Sequence, residues 1–542
     1  MNCKQVVRIG IALALIVLFA AACAPTPLAV PTTAPVAPGA PTAVPGATNA
    51  PSAAATAAPK PAANQQIVIV QGSDPETLDC QATTTRSTMN VCGAINEPLM
   101  KVAFSPSGAS SVVPVLATSW KLVNDTTWQV KLRDNVKFSN GEPFDADAVK
   151  YSMDRIMNKD NKWPSFKYVS TIDHVEVVDK TTVNFITKAP DPLFPMNTTM
   201  VYMVPPKYTA QVGNQGFANK PIGTGPFKLV EWVKDDHLTL QANTDYWGNK
   251  PKLTQVTFKP IPEAATRTAA IKTGQADMVT PLSISDIASL QQSEGVRVVQ
   301  APTLRVMYVV LDQANNDIMK NTKVRQALNY AIDKDAIVKD LFQGYGIKLK
   351  GEGLSPEFYG YNPDLEPYPY DPVKAKQLLT EAGYPNGFSV TMWSPRGRYP
   401  LDYETAQAVA GQLDKVGVKV DVKPLEWAVY IQNLTNKKLT PMVFAAWGTY
   451  PDADPMFDAF LKGGVYSYTN EPDFDKLVLD ARSTMDPQKR LSLLQQAAKV
   501  QHDEAFVIFL HQLQNIYAVS TRVEGVTMLP NEAIEFQDAY VK

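Results

Sequence analysis

The sequence has few of the residues, and none of the motifs, on which catalytic and metal sites usually depend. Its 542 residues include four cysteines and four histidines. No histidine stands at a ligand-like spacing from a cysteine, so a metal site is not expected. There is no Gly-x-Ser-x-Gly elbow, no His-Glu-x-x-His pair and no phosphate loop. A secreted hydrolase stays open only because acidic residues are numerous and tertiary structure could pair two of them.

Charge of one sign and long apolar runs are also scarce. Lys and Arg number 51 against 53 Asp and Glu, and no basic run occurs, which argues against nucleic acid as a partner. Beyond the N-terminal segment, no apolar stretch is long enough for a membrane-spanning helix. About 480 residues follow position 64, which is too many for one core, so we expect two or more lobes.

One glycine-containing segment, Gly223-Thr-Gly225, could be mistaken for a nucleotide-binding loop. Pro226 and a strand-like stretch at 227–230 follow it, so it is not a dinucleotide-binding fingerprint. We interpret the segment as a turn in which glycine supplies backbone dihedrals that other residues avoid.

The N-terminus has the layout of an export signal. Two basic residues precede an uncharged apolar run at 11–22, which ends in small residues before Cys23 and is short for a membrane span. The segment resembles a bacterial lipoprotein signal, which implies that residues 1–22 are removed and that Cys23 is lipidated. Ala20 stands where such signals usually have Leu, so ordinary cleavage with an unmodified Cys23 is the alternative. We favour lipidation, because acyl chains anchor a protein without a transmembrane helix.

The segment 23–64 has the composition of a linker. It is almost wholly Ala, Pro, Thr, Val and Gly, with Lys60 as its one charge. Such a segment cannot bury enough apolar surface to fold, and its prolines stiffen it. We interpret it as a lipid-anchored stalk that holds an extracytoplasmic body off the membrane; a disordered arm without a role is the alternative.

Two cysteines remain in the body, Cys80 and Cys92. An even pair in an exported chain favours a disulfide, here one that closes a local loop. Two buried free thiols are the alternative.

The body alternates strand and helix patterns. Residues 127–133 alternate apolar and polar side chains as a half-buried strand does, and 174–187 read as two strands around a turn. Apolar residues at helical spacing predict a helix over 324–332. A further helix begins at Asp371-Pro372, with Asp as its N-cap, and ends at Gly383.

A βαβ unit is predicted in the second half. Residues 388–393 read as a strand, 404–416 as a helix and 418–422 as a strand again. Two strands joined through a helix run parallel, so we expect an α/β lobe that binds its ligand beyond the strand ends.

Eight sequence blocks together resemble the oligopeptide-, dipeptide- and nickel-binding family of ABC-importer solute-binding proteins. The resemblance runs from about residue 66 to the C-terminus and depends on the order and spacing of the blocks, which are Asn96–Leu99, Pro114–Trp120, Val130–Val149, Gly223–Leu229, Asn243–Trp247, Ala270–Asp277, Val324–Asp333 and Gln412–Val418. It implies a two-lobed α/β fold of the type II periplasmic-binding-protein kind, with an extra subdomain inserted in lobe one.

The resemblance also implies where the lobes lie and what they do. Lobe one takes 65–98, 204–301 and 509–542, the inserted subdomain 99–203, and lobe two 302–508. A peptide-like solute is captured between the lobes without catalysis and without a cofactor. The closed form then delivers it to an ABC permease with its ATPase subunits, and family members are usually monomers.

Part of the ligand site is expected in the second lobe. Peptide-binding relatives hold the ligand ammonium with the Asp of a Trp-x-x-Asp segment, and the matching segment here is Trp447-Gly-Thr-Tyr450. A phenol cannot replace a carboxylate in that pair. Asp452 or Asp454 could substitute, with turn carboxylates that cap a helix as the alternative. Trp447 stacks on the ligand or belongs to the core.

Other site residues come from two loops. Arg398 matches a position that meets the ligand carboxylate in dipeptide-binding relatives, a task that suits a guanidinium. Arg396 competes for that role, and a solvated loop arginine is the remaining reading. In the first lobe, Thr84, Thr85 and Arg86 match a segment whose backbone pairs with peptide ligands.

The missing Asp keeps other functions open. The same fold could bind an oligosaccharide, an opine or a metal chelate, or could serve a sensor that binds without transport.

Overall fold

The computed structural model describes residues 64–106, 108–448 and 450–542. The predicted signal, Cys23 and the linker up to residue 63 lie outside these residues. Within the described part, no helix is both long and apolar enough to cross a bilayer.

The first part of the chain supplies one central strand, one helix and an inserted unit. Its elements are β1 (Gln66–Gln71), α1 (Arg86–Ile95), β2 (Met100–Phe104), β3 (Ser110–Pro114), β4 (Ala117–Asn124), β5 (Thr127–Leu132), α2 (Ala146–Met157), β6 (Ile172–Asp179), β7 (Thr182–Thr187) and α3 (Phe194–Thr198). A second group completes the first lobe: α4 (Pro206–Asn219), β8 (Phe227–Val233), β9 (His237–Ala242), β10 (Gln255–Pro260), α5 (Ala264–Lys272), β11 (Met278–Val279) and α6 (Ile287–Gln291).

The rest of the chain begins with a long strand and ends with a second long strand that is followed by short strand pairs. The elements are β12 (Val296–Leu311), α7 (Thr322–Tyr330), α8 (Lys334–Ala336), β13 (Gly346–Lys348), α9 (Pro372–Glu381), β14 (Phe388–Pro395), α10 (Asp402–Asp414), β15 (Val418–Leu425), α11 (Trp427–Thr435), β16 (Met442–Trp447), α12 (Ala453–Asp458), α13 (Pro472–Ser483), α14 (Pro487–Asp503), β17 (Val507–Ser520), β18 (Val523–Glu524), β19 (Thr527–Met528), β20 (Ile534–Glu535) and β21 (Tyr540–Val541).

Both lobes share one sheet. Its strand order is β15-β14-β16-β12-β17-β11-β1-β10-β9-β8, with β13 paired to β17. In that order, the antiparallel strands β12 and β17 stand at the centre, with β15, β14 and β16 on one side and β11, β1, β10, β9 and β8 on the other. Their pairing shifts register between Pro302 and Val306, where Pro302 faces Gln514 and Val306 faces Gln512. Three residues thus oppose one, which is a bulge that bends the pair where it passes from one lobe to the other.

The second lobe is covered by helices on both faces of its sheet. Along β12, Val306, Tyr308 and Val310 pack into a cluster with side chains of α12, α13 and α14. The alternate residues, Met307 and Val309, pack into a second cluster with α7, α9 and α10. Because both faces are buried, this strand reads as a continuous apolar run rather than an alternating one.

The inserted unit has its own sheet and core. Strands β4-β5-β7-β6 form an antiparallel sheet, and β2 pairs with β3. Helix α2 packs on this sheet through buried residues at helical spacing, Val149, Met153 and Ile156. Asp145 caps the helix by accepting a hydrogen bond from the N–H of Ala148 at 3.1 Å.

The local sequence patterns are confirmed. The strand predicted over 127–133 is β5, and the two strands predicted in 174–187 are β6 and β7. The helix predicted over 324–332 is α7, and Asp371 caps α9. The βαβ unit is β14-α10-β15, whose strands are parallel.

The interpretation of Gly223 and Gly225 is wrong. Neither residue has a left-handed backbone conformation. A Cβ atom at Gly223 would lie 2.0 Å from the carbonyl oxygen of Ile95, and one at Gly225 would lie 2.5 Å from that of Ala94. The glycines are there because the chain runs directly against the end of α1, not because of unusual dihedrals. The exact lobe boundaries stay a prediction.

Candidate functional site: a cleft at the hinge strands

A cleft of about 600 Å³ lies where β12 and β17 change register. Its floor includes Thr303, Leu513, Gln514 and Asn515. The Thr303 hydroxyl donates to the carbonyl oxygen of Leu513 at 2.9 Å and accepts from the N–H of Arg305 at 2.9 Å. These bonds satisfy backbone groups that the bulge removes from the strand ladder. The volume is within the range of small-molecule sites.

The first-lobe wall contains Thr84, Thr85 and Arg86, where α1 begins. The Thr85 hydroxyl donates to Glu76 at 2.9 Å. The segment before α1 is tied to the second turn of the helix by a disulfide between Cys80 and Cys92, whose Cα atoms are 5.6 Å apart. Closing a loop of this size removes conformational entropy from the unfolded chain worth about 3 kcal/mol. The wall that carries these predicted residues is therefore covalently braced.

The second-lobe wall contains Arg398 in the loop between β14 and α10. The Asp402 carboxylate accepts hydrogen bonds from the N–H groups of Gly397, Arg398 and Tyr399 at 3.0, 2.8 and 3.0 Å. The guanidinium carbon of Arg398 lies 5.2 Å from the ring centre of Tyr399 and 5.0 Å from that of Trp427. The loop backbone and the aromatic faces thus orient this arginine without neutralising it.

Arg396 does not line the cleft. Its guanidinium lies 4.7 Å from the ring centre of Tyr403. Of the two loop arginines, only Arg398 borders the cleft.

Tyr450 joins the second lobe to the inserted unit. Its hydroxyl donates to the side-chain oxygen of Asn197 at 2.5 Å. Its ring stacks on Tyr168, with ring centres 6.3 Å apart. Burial raises the pKa of the Tyr450 phenol well above its usual value. The side chain that replaces the ammonium-binding Asp is therefore neutral and already engaged in a contact between subdomains.

Asp452 and Asp454 do not border the cleft. Asp452 is buried, pairs with both terminal nitrogens of Arg490 at 2.8 and 2.9 Å, and caps α12. Asp454 is buried and paired with Arg482 at 2.8 Å. The sequence left open whether these carboxylates bind the ligand or cap a helix, and Asp452 caps a helix. Both carboxylates are paired with arginines, so neither is free to bind a ligand ammonium.

Trp447 is also outside the cleft lining. It ends β16 opposite Val306, and its ring meets that of Tyr466 edge-on at 6.0 Å. The structure therefore brings together Arg398 and the Thr84–Arg86 segment, but not the Trp447–Asp454 segment.

Several lining residues were not anticipated from the sequence. Gln71 is buried at the end of β1, and Gln514 lies on β17; the side-chain oxygen of each is buried without a hydrogen-bond partner. Arg305 is paired with Glu532 at 3.0 Å. In the sequence, the only sign of these lining residues is a polar side chain within a strand pattern. That pattern does not tell which face of the sheet the side chain lies on.

In the described part of the chain, no three His, Cys, Asp or Glu residues lie close enough together to hold a metal ion.

Known proteins resemble this chain over most of its length. Residues 111–468 match the family described as bacterial extracellular solute-binding proteins, family 5, middle. The chain is 32% identical over 452 residues to the glutathione-binding protein GsiB of Pectobacterium atrosepticum, covering 79% of this chain and 85% of that protein. It is 30% identical over 468 residues to the dipeptide-binding protein of Escherichia coli, covering 80% and 87%. A solved dipeptide-binding protein of Pseudoalteromonas sp. SM9913 in complex with Met-Leu matches with a TM-score of 0.71 and 27% identity, covering 88% of this chain and 100% of that one.

Proposed function

We propose that this chain, which belongs to family 5 of the bacterial extracellular solute-binding proteins, captures a peptide-like solute between its lobes and hands it to an ABC importer. The solute bridges the walls of the cleft and shifts an open–closed equilibrium toward the closed form. It does so only through its higher affinity for that form. The closed form then docks on the permease, whose ATPase subunits supply the energy. The protein acts by binding and not by catalysis.

The observation that carries this proposal is the position of Arg398. Its guanidinium lies against two aromatic rings and has no acidic partner within the described residues, the residue borders the cleft, and Asp402 fixes its backbone N–H. Such a group is suited to a ligand carboxylate, which accepts two parallel N–H bonds from a guanidinium. Two relatives of this chain, a glutathione-binding protein and a dipeptide-binding protein, agree with a peptide-like solute. The Thr84–Arg86 segment is proposed to pair with the solute backbone.

We place the receptor outside the cytoplasm, held at the cell membrane by lipid on Cys23, with 24–64 as the spacer. Mass spectrometry of the membrane-extracted protein tests this. Acyl chains on an N-terminal Cys23 support the anchor, whereas an unacylated N-terminus leaves a secreted receptor.

The solute class is tested by thermal unfolding of the purified protein with peptides, sugars and metal chelates. A ligand present at 100 times its dissociation constant stabilises the folded state by about 2.7 kcal/mol, so a true solute raises the unfolding temperature measurably. We expect peptides of two to five residues to do this for the wild type and less for Arg398→Gln. A rise with a sugar or a chelate, and none with peptides, would establish the second candidate.

That second candidate is a non-peptide solute in the same cleft, such as an oligosaccharide, an opine or a metal chelate. The observation in its favour is the charge of the described lining, where the one acidic side chain, Glu532, is paired with Arg305, so that no carboxylate is free to bind a peptide ammonium.

A further inference from the structure

The charges on the cleft wall indicate what kind of peptide-like solute it takes. Within the described lining, three residues are basic and one is acidic: Arg86, Arg305, Arg398 and Glu532. Arg305 and Glu532 neutralise each other at 3.0 Å. Two guanidinium groups, those of Arg86 and Arg398, remain without a described carboxylate at ion-pair distance. The described lining therefore carries two positive charges that no described carboxylate pairs with.

Arg86 is the less exposed of the two. Its Nε is buried and has no hydrogen-bond partner. Burial raises the pKa of the Tyr168 and Tyr202 phenols, and the nearby charge of Arg86 opposes that rise. A buried guanidinium nitrogen without an acceptor is costly unless something else supplies one. An anionic group of a bound solute is such an acceptor.

The two positive charges border the same cleft but come from elements far apart in the chain. Arg86 begins α1 in the first lobe, and Arg398 follows β14 in the second. The positive end of the α1 dipole adds to the charge of Arg86. Like charges brought together at one cleft oppose closure, whereas a solute that offers a carboxylate to each arginine neutralises both and favours closure. The same two residues thus provide recognition and the electrostatic drive for closing.

The remaining unpaired groups are suited to a peptide bond. The side-chain oxygens of Gln71 and Gln514 are buried acceptors that lack a donor, and Gln71 is only 4% exposed. Its amide nitrogen already donates to the carbonyl oxygen of Ser87 at 3.2 Å, which leaves the oxygen to accept an N–H from the solute.

A solute ammonium, in contrast, finds no free carboxylate among the described residues that line the cleft. Glu532 is held by Arg305, and Asp452 and Asp454 are held by arginines outside it. We infer that the cleft takes an acidic peptide-like solute with two carboxylates, in which Arg398 holds the terminal carboxylate and Arg86 holds the second. This rests on the proposed function and narrows it to a chemical class.

The test uses two peptides that differ in one group, Ala-Glu-Ala and Ala-Gln-Ala, with affinities measured by titration calorimetry on the full chain. We expect the Glu peptide to bind the wild type at least about tenfold more tightly, the effect of one charge-assisted pair. Arg86→Gln should reduce the ratio to about one, whereas Arg86→Lys should retain most of it, because charge and not fork geometry sets the preference. Arg398→Gln should weaken both peptides by a similar factor. Arg396→Gln is the matched control in the same loop, and should change neither affinity.

The outcomes separate this inference from the proposed function. Equal affinity of the wild type for the two peptides overturns the dicarboxylate class and leaves a peptide receptor. A preference that persists in a folded Arg86→Gln variant overturns the role of Arg86. No binding of either peptide, together with binding of a sugar or a chelate, overturns the proposed function itself. N-acetylation of Ala-Glu-Ala should cost less than about threefold in affinity, because the cleft offers the ammonium no ion pair; a loss above tenfold contradicts the inference.

Discussion

Two segments of the second lobe contain residues that are predicted from the sequence to bind the ligand. In the structure, the side chain of one segment is unpaired, whereas those of the other are bound to protein partners. The loop 396–400 leaves Arg398 unpaired beside the cleft. The segment 450–454 engages all three of its polar side chains in the folded protein: Tyr450 with Asn197, Asp452 with Arg490, and Asp454 with Arg482.

The difference lies in burial and not in residue type. Asp452 is 4% exposed, and a buried carboxylate without a partner costs several kcal/mol. A later helix, α14, supplies that partner. Arg398 is exposed, and its guanidinium lies against the rings of Tyr399 and Trp427, so it stays unpaired at little cost. A free charge at a cleft thus indicates function more reliably than a charge in a motif.

The largest loss of stability is expected from breaking the buried ion pair between Asp452 and Arg490. Arg490→Met leaves Asp452 buried and unpaired, which should lower the free energy of unfolding by about 3–5 kcal/mol. Urea denaturation measures it. The double variant Asp452→Asn/Arg490→Met should recover much of the loss. Lys499→Met, which breaks an exposed pair with Asp503 on the same helix, is the control and should cost at most about 0.5 kcal/mol. If Arg490→Met cost no more than about 0.5 kcal/mol, as expected for an exposed pair, the 450–454 segment would not differ from the 396–400 loop in the way proposed.

His511 also lacks a hydrogen-bond partner, but unlike Arg398 it is buried. Its protonation should therefore affect the stability of the fold. Burial lowers the pKa of His511 from 6.5 to about 3, so the unfolded chain binds a proton that the folded protein does not. The resulting stability is fully present above about pH 6.5 and is lost as pH falls toward about 3. At pH 4 the loss should reach about 3 kcal/mol. His511→Leu should flatten this part of the stability–pH curve, whereas His174→Gln, an exposed histidine, should not. An unchanged slope in His511→Leu would contradict the assignment.

Removing the free charge should affect binding and not stability. Arg398→Gln should weaken the binding of a carboxylate-bearing peptide by about 10- to 100-fold, or about 1.5–3 kcal/mol. Its free energy of unfolding should stay within about 0.5 kcal/mol of the wild type. Calorimetric titration and urea denaturation of the same samples measure both, with Arg396→Gln as the control. If Arg398→Gln were destabilised, Arg398 would stabilise the fold as the charged residues of 450–454 do, and would not be a free ligand-binding group.

The smallest effect is expected at the contact between subdomains. Tyr450→Phe removes the hydrogen bond to Asn197 but keeps the stacking on Tyr168, at a cost of about 1 kcal/mol. A double-mutant cycle with Asn197→Ala measures the coupling in solute affinity and in unfolding. Additive effects would mean that the two side chains do not act together.

Much of the fold follows from the sequence. Period-two alternation located β5, β6 and β7, and helical spacing with Asp and Pro caps located α7 and α9. The parallel pairing of β14 with β15 followed from the intervening helix. These features were predictable because each depends on neighbours within a few residues or on one short connection.

The candidate site was predictable only in part. Arg398 and the Thr84–Arg86 segment were identified by their position in a family pattern, and both border the cleft. Arg490 lies 38 residues after Asp452, and nothing local in the sequence assigns this partner. Nothing local in the sequence explains Gly223 either. A glycine is needed there because the carbonyl oxygen of Ile95, in another element, leaves no room for a Cβ atom.

The sequence by itself determined the alternation of strands and helices, the family and the presence of an arginine suited to a carboxylate. Only the tertiary structure decided which charges are free. Whether a charge is neutralised depends on burial and on partners from distant elements, and both exist only once the chain has folded. The two unpaired arginines border one cleft only because tertiary packing brings α1 and the loop after β14 to it, which no local pattern encodes.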